Sequence, residues 1–284
     1  METKKQNNLV TVGVALYNHE NYIVKCLESI VKQTYKNIEL IVIDDGSQDD
    51  SFQVAKDYLE SQDFNKNYKI YTRPNKGMCN TLNEIAQQAN GKYISFVGSD
   101  DYWFLNKIEE QVFFLESHPH YALVHSNSQV VDNDDNKKDI LDYSTKKNTG
   151  FLFDSIYEGK GGINTTSHLY RTEVYGKIGY YDPSLKFEDT DFWLRLTKKY
   201  EVGYLNKIHT FYRWHENNLS GSKNLLSFYY EEIVKIYNKN IDDEKKRKKA
   251  ISKIYKKAFQ RAIRSFQLMY FVKYFYKYLK VKFR

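Results

Sequence analysis

The chain has 284 residues, with 43 Lys+Arg against 36 Asp+Glu, a formal net charge of +7. The fifteen basic residues from Lys245 to Arg284 face no acidic one, so residues 1–244 are net acidic and the excess charge sits at one end. A hydrophobic content of 41% with 28% charged residues excludes global disorder, a collagen-like repeat and a coiled-coil rod, and the length suits one large or two small domains. Two cysteines, Cys26 and Cys79, are too few for a disulfide framework or a zinc cluster, which points to a reducing cytoplasm. The first apolar run, Leu9 to Tyr17, is too short to span a bilayer, and so is the uncharged stretch Ser265 to Val272.

In chain order, short β-branched runs predict strands at Val10–Ala15, Ile38–Ile43, Tyr68–Tyr71, Tyr93–Val97 and Tyr121–Ser126. Helical patterns fall between them at Asn21–Lys32, Ser51–Glu60, Met78–Ala89 and Leu105–Ser117. This alternation predicts βαβ units and a mostly parallel sheet in an α/β fold, with ligands gathering at the carboxyl ends of the strands. The charged segment Val131–Asn148 reads as an exposed loop. A strand near Thr165–Tyr170, a short helix from Thr172 and a helix opening near Glu188 follow. Beyond Ser220 the pattern is helical throughout.

Four strand-end or helix-start clusters could carry chemistry. Asp44 and Asp45 follow an apolar strand and precede Gly46-Ser47; they suit hydrogen bonds from a base or ribose, or else Asp45 or Ser47 caps the next helix. Asp100-Asp101 follow the strand Tyr93–Val97 and suit a hard divalent cation, or cap the helix from Leu105. Glu188, Asp189 and Asp191 open a helix, where the macrodipole favours negative charge in any protein. His215, in Tyr212-Arg213-Trp214-His215-Glu216, is a metal ligand or a structural histidine.

The order of Val14-Ala15-Leu16-Tyr17-Asn18, Ile43-Asp44-Asp45-Gly46-Ser47, Asn75-Lys76-Gly77, Gly98-Ser99-Asp100-Asp101-Tyr102-Trp103, Glu188-Asp189-Thr190-Asp191 and Tyr212-Arg213-Trp214-His215 resembles family 2 inverting glycosyltransferases of the GT-A fold. The likeness spans roughly residues 9 to 222. It implies a catalytic domain over 1–222, with a nucleotide-sugar half (9–126) and an acceptor half (127–222). It further implies uridine held by Ala15, Tyr17, Asp44, Asp45 and Asn75, with Gly77 and Ser99 in the same wall. Asp100, at the second acid of the family's Asp-x-Asp motif, and His215 would ligate Mn2+ or Mg2+ on the donor diphosphate. Asp189 would be the general base, with Glu188 beside it and Asp191 the next carboxylate in line. Two positions depart from the pattern: Gly98 replaces the first Asp of the motif, and Leu82 stands where an arginine is common. The implied reaction is transfer of a hexose, glucose or galactose, from a UDP-sugar to a polyprenyl-diphosphate-linked N-acetylhexosamine by a β-1,3 linkage, in O-antigen or capsule synthesis. A protein, teichoic acid or polymer acceptor, or an inactive nucleotide-binding or scaffold protein, are the alternatives.

Residues 223–284 read as a basic amphipathic helical tail. Apolar positions from Ile251 to Tyr270 form one helix face, with Lys253, Lys256, Lys257, Arg261 and Arg264 on the other. Such a tail binds an anionic membrane surface and places the enzyme on the cytoplasmic face of the plasma membrane; alternatively the stripe packs on the catalytic domain and the lysines face water. Nucleic acid is disfavoured as the polyanion because the acidic body would repel it.

Overall fold

The computed structural model describes residues 8–62, 67–145, 147–215 and 225–283. Strands β1 (Val10–Leu16), β2 (Ile38–Asp44), β3 (Tyr68–Thr72) and β4 (Tyr93–Gly98) pair in parallel in the order β3-β2-β1-β4. They are joined by α1 (Ile23–Val31), α2 (Ser51–Ser61) and α3 (Met78–Gln88). These elements lie where the sequence predicts them because β1 and β2 are covered on both faces and therefore read as unbroken apolar runs. Val10, Val12, Val14 and Leu16 pack with Ile23, Leu27 and Ile30 of α1 on one side. Ile41 and Ile43 pack with Ile85 and Ala86 of α3 on the other.

The second half contains β5 (Tyr102–Trp103), α4 (Lys107–Ser117), β6 (Tyr121–Val131), β7 (Lys137–Leu141), α5 (Phe153–Glu158), β8 (His168–Arg171), α6 (Val174–Ile178), α7 (Glu188–Thr197) and β9 (Glu201–Arg213). β8 lies antiparallel between β4 and β6, β6 runs parallel to β9, and β5 closes the row antiparallel to β9. Three elements correct the sequence reading. The segment Val131–Asn148 is not all loop, since β7 folds back on β6 there. Strand β9 and helix α5 were not predicted. β9 hides its pattern because polar side chains on it find distant partners: His209 bonds Ser126 at 3.0 Å and Glu110 at 3.0 Å.

The helices α8 (Leu225–Asn240), α9 (Glu244–Arg264) and α10 (Leu268–Lys282) follow. The boundary expected at 222/223 falls outside the described residues. Asp243 caps α9 by accepting the Lys246 amide at 2.8 Å. Of the two readings of the tail, packing describes the α9 stripe: Ala250, Ile251, Ile254, Tyr255, Ala258 and Ala262 are buried with α8, with Tyr157 of α5 and with Leu194 of α7. The expected continuous stripe ends at Ser265, where Phe266 adopts φ 55° and α10 turns back onto α9. No described helix is long and apolar enough to cross a membrane.

Candidate active site

Backbone register assembles the site. Ala15 lies between Ile43 and Gly98, so β1, β2 and β4 end side by side. Tyr102 pairs with Phe211 across β5 and β9, which carries the residues just before them in one strand, and just after them in the other, to the same place. Asp100 and His215 thereby meet, Nε2 to Oδ2 at 3.0 Å. Neither Asp100 nor Asp101 caps α4, whose N-cap position is Asn106.

Gly98 has a local reason. A Cβ at that position would stand 2.7 Å from Asp100 Oδ1, so the glycine that replaces the first acid of the motif clears space for the second. The bend is fixed by the Asp101 amide donating to the Gly98 carbonyl at 2.9 Å. Buried Arg213 braces it further. Its backbone amide donates to Asp101 Oδ1 at 2.8 Å, and its guanidinium donates to the Asp100 carbonyl at 3.0 Å, to the carbonyls of Asp132 and Asn133, and to the Asp135 carboxylate at 2.7 Å. Burial and the neighbouring Asp100 push the Asp101 carboxyl well above the usual range.

A third side chain joins this group. The loop after β1 turns at Asn18, with φ 52°, and is laced to the loop after β2: the Asn18 amide donates to Ser47 Oγ at 2.9 Å and the His19 amide to Ser51 Oγ at 2.7 Å. His19 Nδ1 lies 2.7 Å from Ser99 Oγ. His19, Asp100 and His215 each offer a donor atom within 4.8 Å of the others. Burial lowers the His19 pKa, which favours the neutral imidazole that a metal requires. Two imidazoles and one carboxylate fit a divalent cation; the imidazoles suit transition metals and the carboxylate suits Mn2+ or Mg2+. His19 was not singled out in the sequence. Its signal was its place, directly after β1 at the carboxyl edge of the sheet.

The residues expected to form the uridine wall lie at the ends of β1, β2 and β4 and in the loop after β3, and the two aspartates among them are engaged by the protein. Asp44 accepts the Ser47 amide at 3.2 Å, the Ser47 hydroxyl at 2.5 Å and the Thr72 hydroxyl at 2.6 Å. Asp45 accepts the Lys76 amide at 2.8 Å and pairs with Arg73, which also bonds Glu84 at 2.9 Å. Neither Asp45 nor Ser47 caps α2, which starts at Ser51 after Asp50. Gly46, at φ +75°, lies against the backbone of Asn75 and Arg73, so the two loops nest. Asn75 accepts the Gly77 amide at 3.1 Å, Tyr17 is exposed beside them, and Ser99 is buried. Arg73 is the cation of this wall. It lies in a loop the sequence marks as polar, while its pairing with Asp45 and Glu84 depends on the fold.

Glu188 and Asp189 form the first turn of α7. Asp189 Oδ1 accepts the Thr190 amide at 2.5 Å, and burial raises its pKa. Burial and then the charge of Asp189 push the Glu188 carboxyl up to about 7. Asp191 is turned away: fully buried, it pairs with Arg195 at 2.9 Å and Lys239 at 3.0 Å, and accepts from Asn240 at 2.8 Å. Its oxygens are occupied in packing α8 on α7, which removes it from the line of bases.

The raised Glu188 pKa makes a stability prediction. Unfolded, this glutamate titrates near its ordinary value of 4.5; folded, it holds its proton up to about 7. Between those pH values the native state binds the extra proton, so stability falls as pH rises across the window. Glu188→Gln removes that dependence. Its melting temperature relative to wild type should be higher at about pH 8 than at about pH 4; an equal difference at both pH values would refute the linkage.

The chain and its fold have counterparts among known proteins. The family model described as glycosyl transferase family 2 matches residues 11–179. The putative glycosyltransferase EpsE of Bacillus subtilis (strain 168) is 29% identical over 230 residues, covering 80% of each chain. The UDP-Glc:alpha-D-GlcNAc-diphosphoundecaprenol beta-1,3-glucosyltransferase WfaP of Escherichia coli is 29% identical over 242 residues, 81% of this chain and 84% of that one. Among solved structures, S. aureus TarS 1-349 in complex with UDP-GlcNAc superposes with a TM-score of 0.70 at 20% identity, covering 96% of this chain and 81% of that one. The mannosyltransferase PcManGT from Pyrobaculum calidifontis, in complex with GDP-Man and Mn2+, gives 0.62 at 15% identity over 96% and 87%. The fold is GT-A, and the chain belongs to glycosyl transferase family 2.

Proposed function

We propose that this glycosyltransferase moves a hexose, glucose or galactose, from a UDP-sugar to a lipid-diphosphate-linked N-acetylhexosamine with inversion, forming a β-1,3 linkage in O-antigen or capsule assembly. The observation that carries the reaction is the meeting of Asp100, His215 and His19 at the strand ends, together with a carboxylate of raised basicity, Asp189, at the start of α7. The acceptor and linkage rest on likeness to WfaP.

Asp100 and His215, with His19 beside them, would hold the divalent cation, and the mixed imidazole and carboxylate set favours Mn2+ over Mg2+. When bound, the cation supplies Lewis-acid neutralisation of the leaving diphosphate. Ala15, Tyr17, Asn75, Gly77 and Ser99 line the nucleotide side. Asp44 and Asp45 hold that wall in shape, and Arg73 brings a cation to it. Asp189 accepts the proton of the acceptor hydroxyl as that oxygen bonds the anomeric carbon and the bond to UDP breaks. Glu188, whose carboxyl is pushed up to about 7 and so is partly protonated at neutral pH, donates a hydrogen bond toward the acceptor in its protonated form. One base and no protein nucleophile give a single displacement, hence inversion.

The lipid-linked acceptor places the enzyme on the cytoplasmic face of the membrane, with the anionic leaflet as a further partner. A screen of UDP-sugars with Mn2+ against a synthetic lipid-diphosphate N-acetylhexosamine tests the reading: radiolabel should enter butanol-extractable product, with β-1,3 linkage by NMR. Label entering only a protein or polymer fraction would replace the acceptor, and the lack of any Mn2+-dependent UDP-sugar turnover would overturn the enzyme assignment.

A further inference from the structure

With most of the α9 stripe buried, two of the basic residues expected to face the membrane line a different feature. Lys253 and Lys256 line a cleft of about 720 Å³ between α9 and the end of α10, along with Lys245, Lys248, Lys249 and Lys282. Within the C-terminal helices, Ile263 of α9 is exposed, and the larger group of apolar side chains left in solvent lies on α10 and at its two ends. Phe266 is 96% exposed, Leu268 74%, Met269 78%, Val272 57%, Tyr276 64% and Phe283 74%. The positions 268, 272, 276 and 283 recur at helical spacing and fall on one face, with Met269 at its margin. The opposite face is engaged: Tyr274 is fully buried, and Lys273 and Lys277 reach Glu231 of α8 at 3.4 and 2.6 Å. At 100° per residue, Lys280 and Lys282 fall on either edge of the exposed face, and Arg261 and Arg264 approach the turn from α9.

We infer that the outer face of α10, led by Phe266, Leu268 and Met269, is an interfacial wedge that inserts into the surface of an anionic bilayer, with the flanking basic residues on the headgroups. Charge selects this occupant. A two-fold contact with a second copy would set the same basic residues against one another, whereas anionic headgroups complement them. The helix is about 22 Å long, long enough to lie in the interface and too short to cross the bilayer. The inference rests on the membrane-surface reading above; it keeps Arg261 and Arg264 among the contacts and moves the centre of the contact from α9 to α10.

The test uses the full chain and vesicles of phosphatidylcholine with about one-third phosphatidylglycerol, the anionic fraction providing the surface potential. Wild type should co-sediment with them and less so with pure phosphatidylcholine. Leu268→Ser/Met269→Ser/Val272→Ser alters only exposed side chains. It should weaken partitioning about 100-fold, because the buried apolar area is lost, while UDP-sugar hydrolysis in solution is unchanged. Met269→Trp should show blue-shifted emission on vesicle addition. If wild type and the triple variant bind equally, the wedge is refuted and membrane attachment by another surface stands. If wild type does not bind, both readings fall. A wild-type dimer that the triple variant dissolves would assign the face to a second copy and overturn the proposal.

Discussion

Asp189→Asn is expected to lower the rate of glycosyl transfer by about 10²–10⁴-fold, the usual contribution of a positioned general base, while UDP-sugar affinity stays at the wild-type value. The amide is isosteric and its oxygen can still accept from the Thr190 amide, which now donates to Asp189 Oδ1 at 2.5 Å, so the first turn of α7 should be undisturbed. What is lost is the proton acceptor, made more basic by burial. Single-turnover transfer with the donor saturating, beside calorimetric titration of UDP, separates chemistry from binding. Asp191→Asn is the contrasting variant. Its carboxylate is fully buried between Arg195 and Lys239, so it should lower the melting temperature and spare the rate per folded molecule. A fully active Asp189→Asn would move the base to Glu188.

The second large effect belongs to Arg213. Arg213→Ala is expected to cost about 3–5 kcal/mol, from the cavity left by a large buried side chain and the loss of its charge-assisted hydrogen bonds. The guanidinium, itself buried, serves three carbonyls and the partly exposed Asp135 carboxylate, which keeps Lys25 at 2.7 Å when the arginine is gone. For a chain of this size that cost corresponds to a melting temperature lower by about 10 °C. Transfer should fall too, since the Asp100 carbonyl loses its anchor beside the proposed metal ligands. Arg213→Lys keeps the charge but cannot span the four acceptors, and should recover only part of the stability. An Arg213→Ala melting temperature within about 2 °C of wild type would show that the network contributes little.

The parts of the molecule legible in sequence share a cause. β1, β2 and β4 are buried on both faces, so their apolar runs are unbroken and end at the polar residues that form the site. Asp100, Asp189 and His215 became visible through the order of motifs along the chain, because each alone could have been a cap or a structural residue. Arg73, His19 and Arg213 lie in the same segments, yet their partners are distant: Arg73 bonds Asp45, His19 meets Ser99, and Arg213 reaches Asp135. Side-chain pairing of that kind leaves no periodic trace. β9 was hidden for the same reason, and the return of α10 turns on a left-handed phenylalanine that local preference disfavours.

The buried contact of Asp191 with Lys239 and Asn240 unites α7, which carries the proposed base, to α8, against which the last two helices pack. These C-terminal helices are therefore not a detachable tether, and cutting them off would uncover core rather than free a soluble enzyme. If α10 is seated on a bilayer as proposed, the chain would act as a ruler: the spacing from helix face to Asp189 would fix how far above the headgroups an acceptor hydroxyl must stand to be glycosylated.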